Sequence, residues 1–127
     1  MKAFLITLLV AAVFLTAALF VQAHIHREIE EFQSDFELLG GFLRAEDWEG
    51  ARRQCELTVQ KWNVKREQWE LFIDHSTLDE TENTIYELRG HVEANASEEH
   101  WMGDLSRLYA HLVQIDMKTR LSWGHLF

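Results

Sequence analysis

Hydrophobic and polar positions divide this chain into one long apolar run and four amphipathic stretches behind it. From Ala3 to Ala23 no residue is charged and only Thr7, Thr16 and Gln22 are polar. As a helix this run spans about 30 Å, the thickness of a bilayer core. Val21-Gln22-Ala23, behind the single lysine Lys2, also has the small residues that a signal peptidase cleaves after. The run nevertheless exceeds the ~7–15 residues of a signal h-region, which favours a retained anchor over a cleaved leader. Lys2 precedes the run, and Arg27, Glu28, Glu30 and Glu31 follow it. That bias predicts an N-terminus inside the cell, with His24–Phe127 outside the membrane.

Beyond the run, Ile25, Ile29, Phe32, Phe36, Leu39 and Leu43 alternate by four and three, the period of a helix with one apolar stripe. The membrane helix is therefore expected to continue outward. Gly40-Gly41 is the first plausible stop, with a turn near 40–46 and Asp47 capping the next helix. That second helix carries Trp48, Cys55, Trp62 and Trp69 at seven-residue spacing, with Val59 and Ile73 beside them. Aromatic rows at this spacing are core faces more often than ligand platforms. Arg52 and Arg66 interrupt the seam and are expected at its edge. Thr77 followed by Glu80 predicts a capping box for a third helix bearing Leu78, Ile85, Leu88 and Val92. Asn95-Ala96-Ser97 ends it, and Ser97 opens a fourth helix with Trp101, Leu105, Leu108, Leu112 and Ile115. No strand-like alternation occurs. The expectation is an all-α fold: a transmembrane helix (1–23), a juxtamembrane helix (24–44) and a helical bundle domain (45–127), giving an antiparallel bundle of three to four helices.

Charge narrows the partners. The 127 residues carry a net charge of -9, and Lys2 is the only charged residue before His24, so the remainder stands at -10. Such a surface lacks the basic footprint of a nucleic-acid binder. Residues 74–104 hold nine acids and one base, whereas 44–66 hold six bases and four acids, so the second and third helices are expected to lie side by side. The lone Cys55 shares the Trp row, which predicts a buried, unreactive thiol and a fold held by packing rather than disulfides.

Candidate chemistry is sparse. The pairs His75/Asp79, Glu87/His91 and His100/Asp104 have metal-ligand spacing, but seven His and 21 acids generate such pairs by composition. Glu-x-x-His and His-Glu-x-x-His patterns are missing, so no metal or other cofactor is assigned. His24 and His26 point about 200° apart on a helix and do not chelate together; interfacial anchoring is their plainer role. Asp74-His75 is the best single candidate for more, since a neighbouring carboxylate can hold an imidazolium; the plainer role is a cap or turn. The tail Trp123-Gly124-His125-Leu126-Phe127 either folds back over the bundle or serves as a docking or interfacial segment. The candidate interaction residues are thus Asp74, His75, Asp79, Trp123 and Phe127. No nucleophile elbow or acid–base constellation is present, and an enzyme is not expected.

The run Trp69-Glu-Leu-Phe-Ile-Asp-His-Ser-Thr-Leu-Asp79, followed by Glu82, Ile85 and Leu88, and the tail Leu121-Ser-Trp-Gly-His-Leu-Phe127, resemble an uncharacterised bacterial family, domain of unknown function four-three-six-three. The likeness covers nearly the whole chain. It implies a short protein from Firmicutes with an N-terminal membrane segment, and a small multi-pass membrane protein as a possible partner. It implies no catalytic residue. Where members often carry an isoleucine-proline pair before the tail, this chain has Ile115-Asp116. The expected function is that of a structural or interaction module, or an accessory subunit of another membrane protein. The alternative is an exported soluble helical protein that binds a cation or small ligand.

Overall fold

The computed structural model describes residues 1–126, with side chains described as far as Leu121. Four helices follow one another: α1 (Lys2–Arg44), α2 (Trp48–Trp69), α3 (His75–Glu93) and α4 (Glu98–Leu126). They run up, down, up and down, and each packs against its two neighbours in a closed ring, α1 on α2 and α4, α3 on α2 and α4. Among the described residues there is no strand.

α1 is one uninterrupted helix with two different environments. Its residues up to Phe20 are exposed except Ala18, whereas Ile25, Ile29, Phe32, Phe36, Leu39 and Leu43 are all buried. The stripe expected from the sequence is therefore the wall of the bundle, and the apolar run projects beyond it. Among the described residues α1 is the one helix long and apolar enough to cross a membrane, a property that a signal sequence shares.

Gly40-Gly41 does not end α1, which runs on to Arg44. Glycine permits a left-handed turn without requiring one, and Leu39 and Leu43, both buried, draw the helix through. Gly40 is buried against α4, where an added Cβ would stand 3.4 Å from Leu105 Cδ1. The helix ends instead on Glu46 at φ 57. Asp47 N–H donates to the Phe42 carbonyl (2.9 Å) and Glu46 N–H to that of Leu43 (3.1 Å), a Schellman closure with a non-glycine residue in the left-handed position. α3 ends the same way on Asn95, φ 51, with Ala96 N–H donating to the His91 carbonyl at 2.9 Å.

The expected cap of α2 is present: Asp47 accepts from Gly50 N–H at 3.0 Å. That of α3 is displaced. Asp74, not Thr77, is the N-cap, and its carboxylate accepts the Thr77 N–H (3.1 Å) and the Thr77 hydroxyl (2.9 and 3.0 Å). A carboxylate is the stronger acceptor for the first-turn N–H groups, and starting at His75 brings Thr77 into the interior at 1% exposure.

The core centres on three aromatic rings from two helices. Phe32, Trp62 and Trp69 meet edge to face, with centroids 5.6–6.0 Å apart. Trp62 and Phe32 are fully buried, Cys55 is buried, and Trp48 at the head of the row is only partly so. Leu108, Leu112 and Ile115 close the core from α4, joined by Trp101, with Leu105 at the margin. α4 runs through Ile115-Asp116 without a break.

Candidate functional site

Among the described residues two buried carboxylates define the polar interior: Asp104, which the sequence offered only as half of a His100/Asp104 pair, and Glu28, which no pattern singled out. Glu28, one turn beyond the apolar run, is 3% exposed although it is an acid on an apolar stripe. Its carboxylate accepts Lys65 Nζ (2.9 Å) and the Trp69 indole N–H (2.6 Å), and His24 Nε2 lies 2.6 Å away. Burial by itself raises the Glu28 pKa; the hydrogen bonds from Lys65 and Trp69 and the charges of Lys65 and His24 outweigh it, so the group is held below its ordinary value. The knot ties α1 to α2 where the bundle meets the apolar segment.

Asp104, fully buried on α4, bonds the His91 ring on α3 and the Arg107 guanidinium, and Arg107 continues to Glu87 at 3.1 Å. The His91 and His100 rings lie 5.2 Å apart, and the His100 ring meets the Ser97 hydroxyl at 2.9 Å. This cluster closes the α3–α4 corner at the far end of the bundle. Among the described residues no three His, Cys, Asp or Glu side chains gather as metal ligands would.

The described sequence candidates each have separate partners. Asp74 is committed to the α3 cap and to Lys118 of α4, 3.4 Å away. Burial works to raise its pKa, but the Thr77 bonds and Lys118 bring it below the usual carboxylate range. The His75 ring is 72% exposed and faces Glu70 at 3.9 Å, so the carboxylate beside it is not that of Asp74. Asp79 accepts from Arg66, which also pairs with Glu70 (3.2 Å) and Glu82 (2.9 Å). The Trp123 side chain and Phe127 lie outside the described residues. Asp74, His75 and Asp79 therefore stand at and just beyond the turn between α2 and α3, each with its own partner.

The expected charge pairing of α2 with α3 is present in Arg66 with Asp79 and Glu82, and in Arg89 with Glu56 at 2.8 Å. The other side of α2 pairs with α1, through Lys61 to Asp35 (2.9 Å) and Glu31 (3.3 Å). Arg52 reaches Asn95 across the α2–α3 seam. Burial, with the Glu56 charge beside it, pushes the Cys55 thiol up to about 11, which suits an inert core thiol. His26 bridges α1 to α4, 3.0 Å from both Glu30 and Asp116, and so does more than anchor an interface.

One surface is conspicuously uncharged. The outward positions of α4 from Gly103 through Ser106, Ala110, Val113 and Met117 to Leu121 carry no ionisable group, in a chain that is 26% charged. Val113, Met117 and Leu121 are 39%, 56% and 60% exposed. Tyr109 beside them borders a shallow cleft of about 110 Å³ between α1 and α4, walled also by Phe36 and Leu112. Period alone concealed this face, because the buried stripe of α4 gave the stronger signal.

No curated protein matches the chain, and no solved structure does. The match to a family is extensive: it begins inside the apolar run at residue 19, takes in the rest of α1, all of α2 and α3 and nearly all of α4, and ends at residue 125. Over those residues the chain matches the domain of unknown function DUF4363, and it belongs to that family.

Proposed function

We propose that the protein is a membrane-anchored, non-enzymatic helical module whose bundle stands outside the cell membrane and binds another membrane protein. The observation that carries this reading is the continuity of α1. A single 43-residue helix exposes an uncharged run at one end and supplies a wall of the bundle core at the other. A flexible tether would let the bundle move freely; a continuous helix transmits position and orientation. Lys2 and the amino terminus before the run, against Arg27 close behind it, favour an extracytoplasmic bundle.

The uncharged face of α4 supports binding to a partner helix. It carries small residues at Gly103, Ser106 and Ala110, which permit close approach, and apolar ones at Val113, Met117 and Leu121, nearest the membrane end. A small multi-pass membrane protein is the kind of partner whose helix ends reach such a face.

Fractionation tests the anchor: the chain is expected in the membrane fraction at full mass, and mature protein beginning at His24 refutes it. A photo-crosslinking side chain at Met117 is expected to capture a membrane protein, whereas one at Leu57, 61% exposed on α2, is not. Equal capture at both positions removes the partner assignment.

A further inference from the structure

The turn between α2 and α3 carries the most exposed large apolar residue among the described residues beyond the first 23: Leu71, at 80% exposure. Phe72 beside it is 39% exposed, while Trp69 and Ile73 on either side are buried. The chain thus sends Leu71 outward from a turn whose flanking residues point in. Only the tertiary structure shows where it points.

Antiparallel packing fixes the level of this turn. Glu28 of α1 stands opposite Lys65 and Trp69 of α2. Trp69 ends α2, and Leu71 lies two residues beyond it in the turn, a few ångströms nearer the apolar run. Ala23, the end of that run, lies about 7 Å below Glu28 at ~1.5 Å per residue. The tip therefore ends within roughly one helical turn of the level where the apolar run ends. Headgroup and interfacial layers occupy about 5–8 Å on each side of a bilayer core, so this is their depth.

Basic groups share that level. Arg27 is exposed on α1; Lys118 and Arg120 of α4 pair with Asp74 (3.4 Å) and Asp116 (3.2 Å) but keep side chains 41% and 54% exposed. His26 faces Asp116 across the α1–α4 seam, which puts Arg120 opposite the last residues of the run, where it lines a surface with Leu19, Gln22 and Ala23. Apolar tips beside cationic stems are the composition of an interfacial contact.

We infer that the α2–α3 turn is a second membrane contact, with Leu71 inserted among lipid headgroups and the exposed faces of Arg27, Lys118 and Arg120 meeting their phosphates. This rests on the anchored reading above. The occupant is a lipid surface because the space between the tip and the end of the apolar run is a few ångströms deep, too shallow for a folded partner. The contact fixes the bundle upright on the bilayer, so α4 presents its uncharged face sideways to membrane neighbours.

The test uses the full-length chain in vesicles of phosphatidylethanolamine and phosphatidylglycerol, with an environment-sensitive dye on Leu71→Cys, on Leu57→Cys or on Leu9→Cys. Cys55 is buried and stays unlabelled. Leu57 is 61% exposed but lies about 20 Å further along α2 from the tip. Headgroup spin-labelled lipid is expected to quench the Leu71 dye several-fold more than the Leu57 dye, and aqueous iodide the reverse. Leu9 reports on the anchor independently, through acyl-chain spin labels. Quenching at Leu9 with Leu71 as open to iodide as Leu57 overturns the turn contact alone. No quenching at Leu9 overturns the anchor and the contact together.

Discussion

Removing Trp62 tests the aromatic centre on which the bundle depends. The side chain is fully buried, meets the edges of Phe32 and Trp69 at 6.0 and 5.8 Å, and donates its indole N–H to Glu82 at 3.1 Å. An indole buries on the order of 150–250 Å², so the transfer term for Trp62→Ala is at most about 4–6 kcal/mol at ~25 cal/mol per Å². Partial collapse of neighbouring side chains into the space brings the expected cost to about 3–5 kcal/mol. Glu82 keeps Arg66 as a partner, so the lost indole bond adds little. Trp62→Phe retains most of the ring contact and should cost about 1–2 kcal/mol. Glu67 is exposed, and Glu67→Ala should stay within about 0.5 kcal/mol. Urea unfolding of the full-length protein in non-ionic detergent, followed by far-ultraviolet circular dichroism, measures all three. With a slope near 2 kcal/mol per molar, the Trp62→Ala midpoint should fall by about 2 M. If Trp62→Ala and Glu67→Ala unfold at the same midpoint, the three rings are not the structural centre.

The remaining predictions concern the polar interior and the helix ends. Because Glu28 is held below its ordinary 4.5 in the folded chain, its stabilisation is complete above the unfolded value and is lost as pH falls through the folded one. Glu28→Gln should therefore cost about 2–3 kcal/mol at neutral pH and flatten the loss of stability below pH 4.5, as read by urea titrations from pH 7 to 3; an unchanged acid limb counts against the knot. At Gly50 an added Cβ stands 2.6 Å from Asp47 Oδ2 and 2.7 Å from Phe42 Cδ1, so Gly50→Ala should displace the cap and lose about 1–2 kcal/mol. Gly90→Ala meets nothing within 4 Å and should gain about 0.5–1 kcal/mol, so opposite shifts in melting temperature are expected. Glu46→Gly relieves a left-handed glutamate at φ 57 and should raise stability by about 0.5–1 kcal/mol in the same melts.

Much of the architecture was legible because helix period and burial agree. The α1 stripe from Ile25 to Leu43 and the α4 row from Trp101 to Ile115 were placed by spacing alone, and Asp47 was read as a cap from its position ahead of Trp48. Helix boundaries were less legible, since they depend on competition between acceptors and on burial at a distance. Gly40-Gly41 invites a stop that the packing of Leu39, Gly40 and Leu43 overrides. Thr77 offers a cap that the Asp74 carboxylate takes instead.

Side-chain roles were less legible still. In the sequence Glu28 is one of three acids with Glu30 and Glu31 behind the run, yet it is buried, and Trp69 and Lys65, about forty residues on, supply its hydrogen bonds. Asp104 is likewise paired from α3 by His91. Sequence by itself determined the all-helical class, the long apolar run, the inward stripes and the unreactive setting of Cys55, because each follows from the period of the helix and the cost of exposing apolar surface to water. Only the tertiary structure decided which acids are buried, which end of the bundle Leu71 occupies, and that the stripe of α4 from Ser106 to Leu121 is left uncharged and open. Those depend on which helices stand opposite one another and at what level, and no local pattern encodes the register between segments distant in the chain.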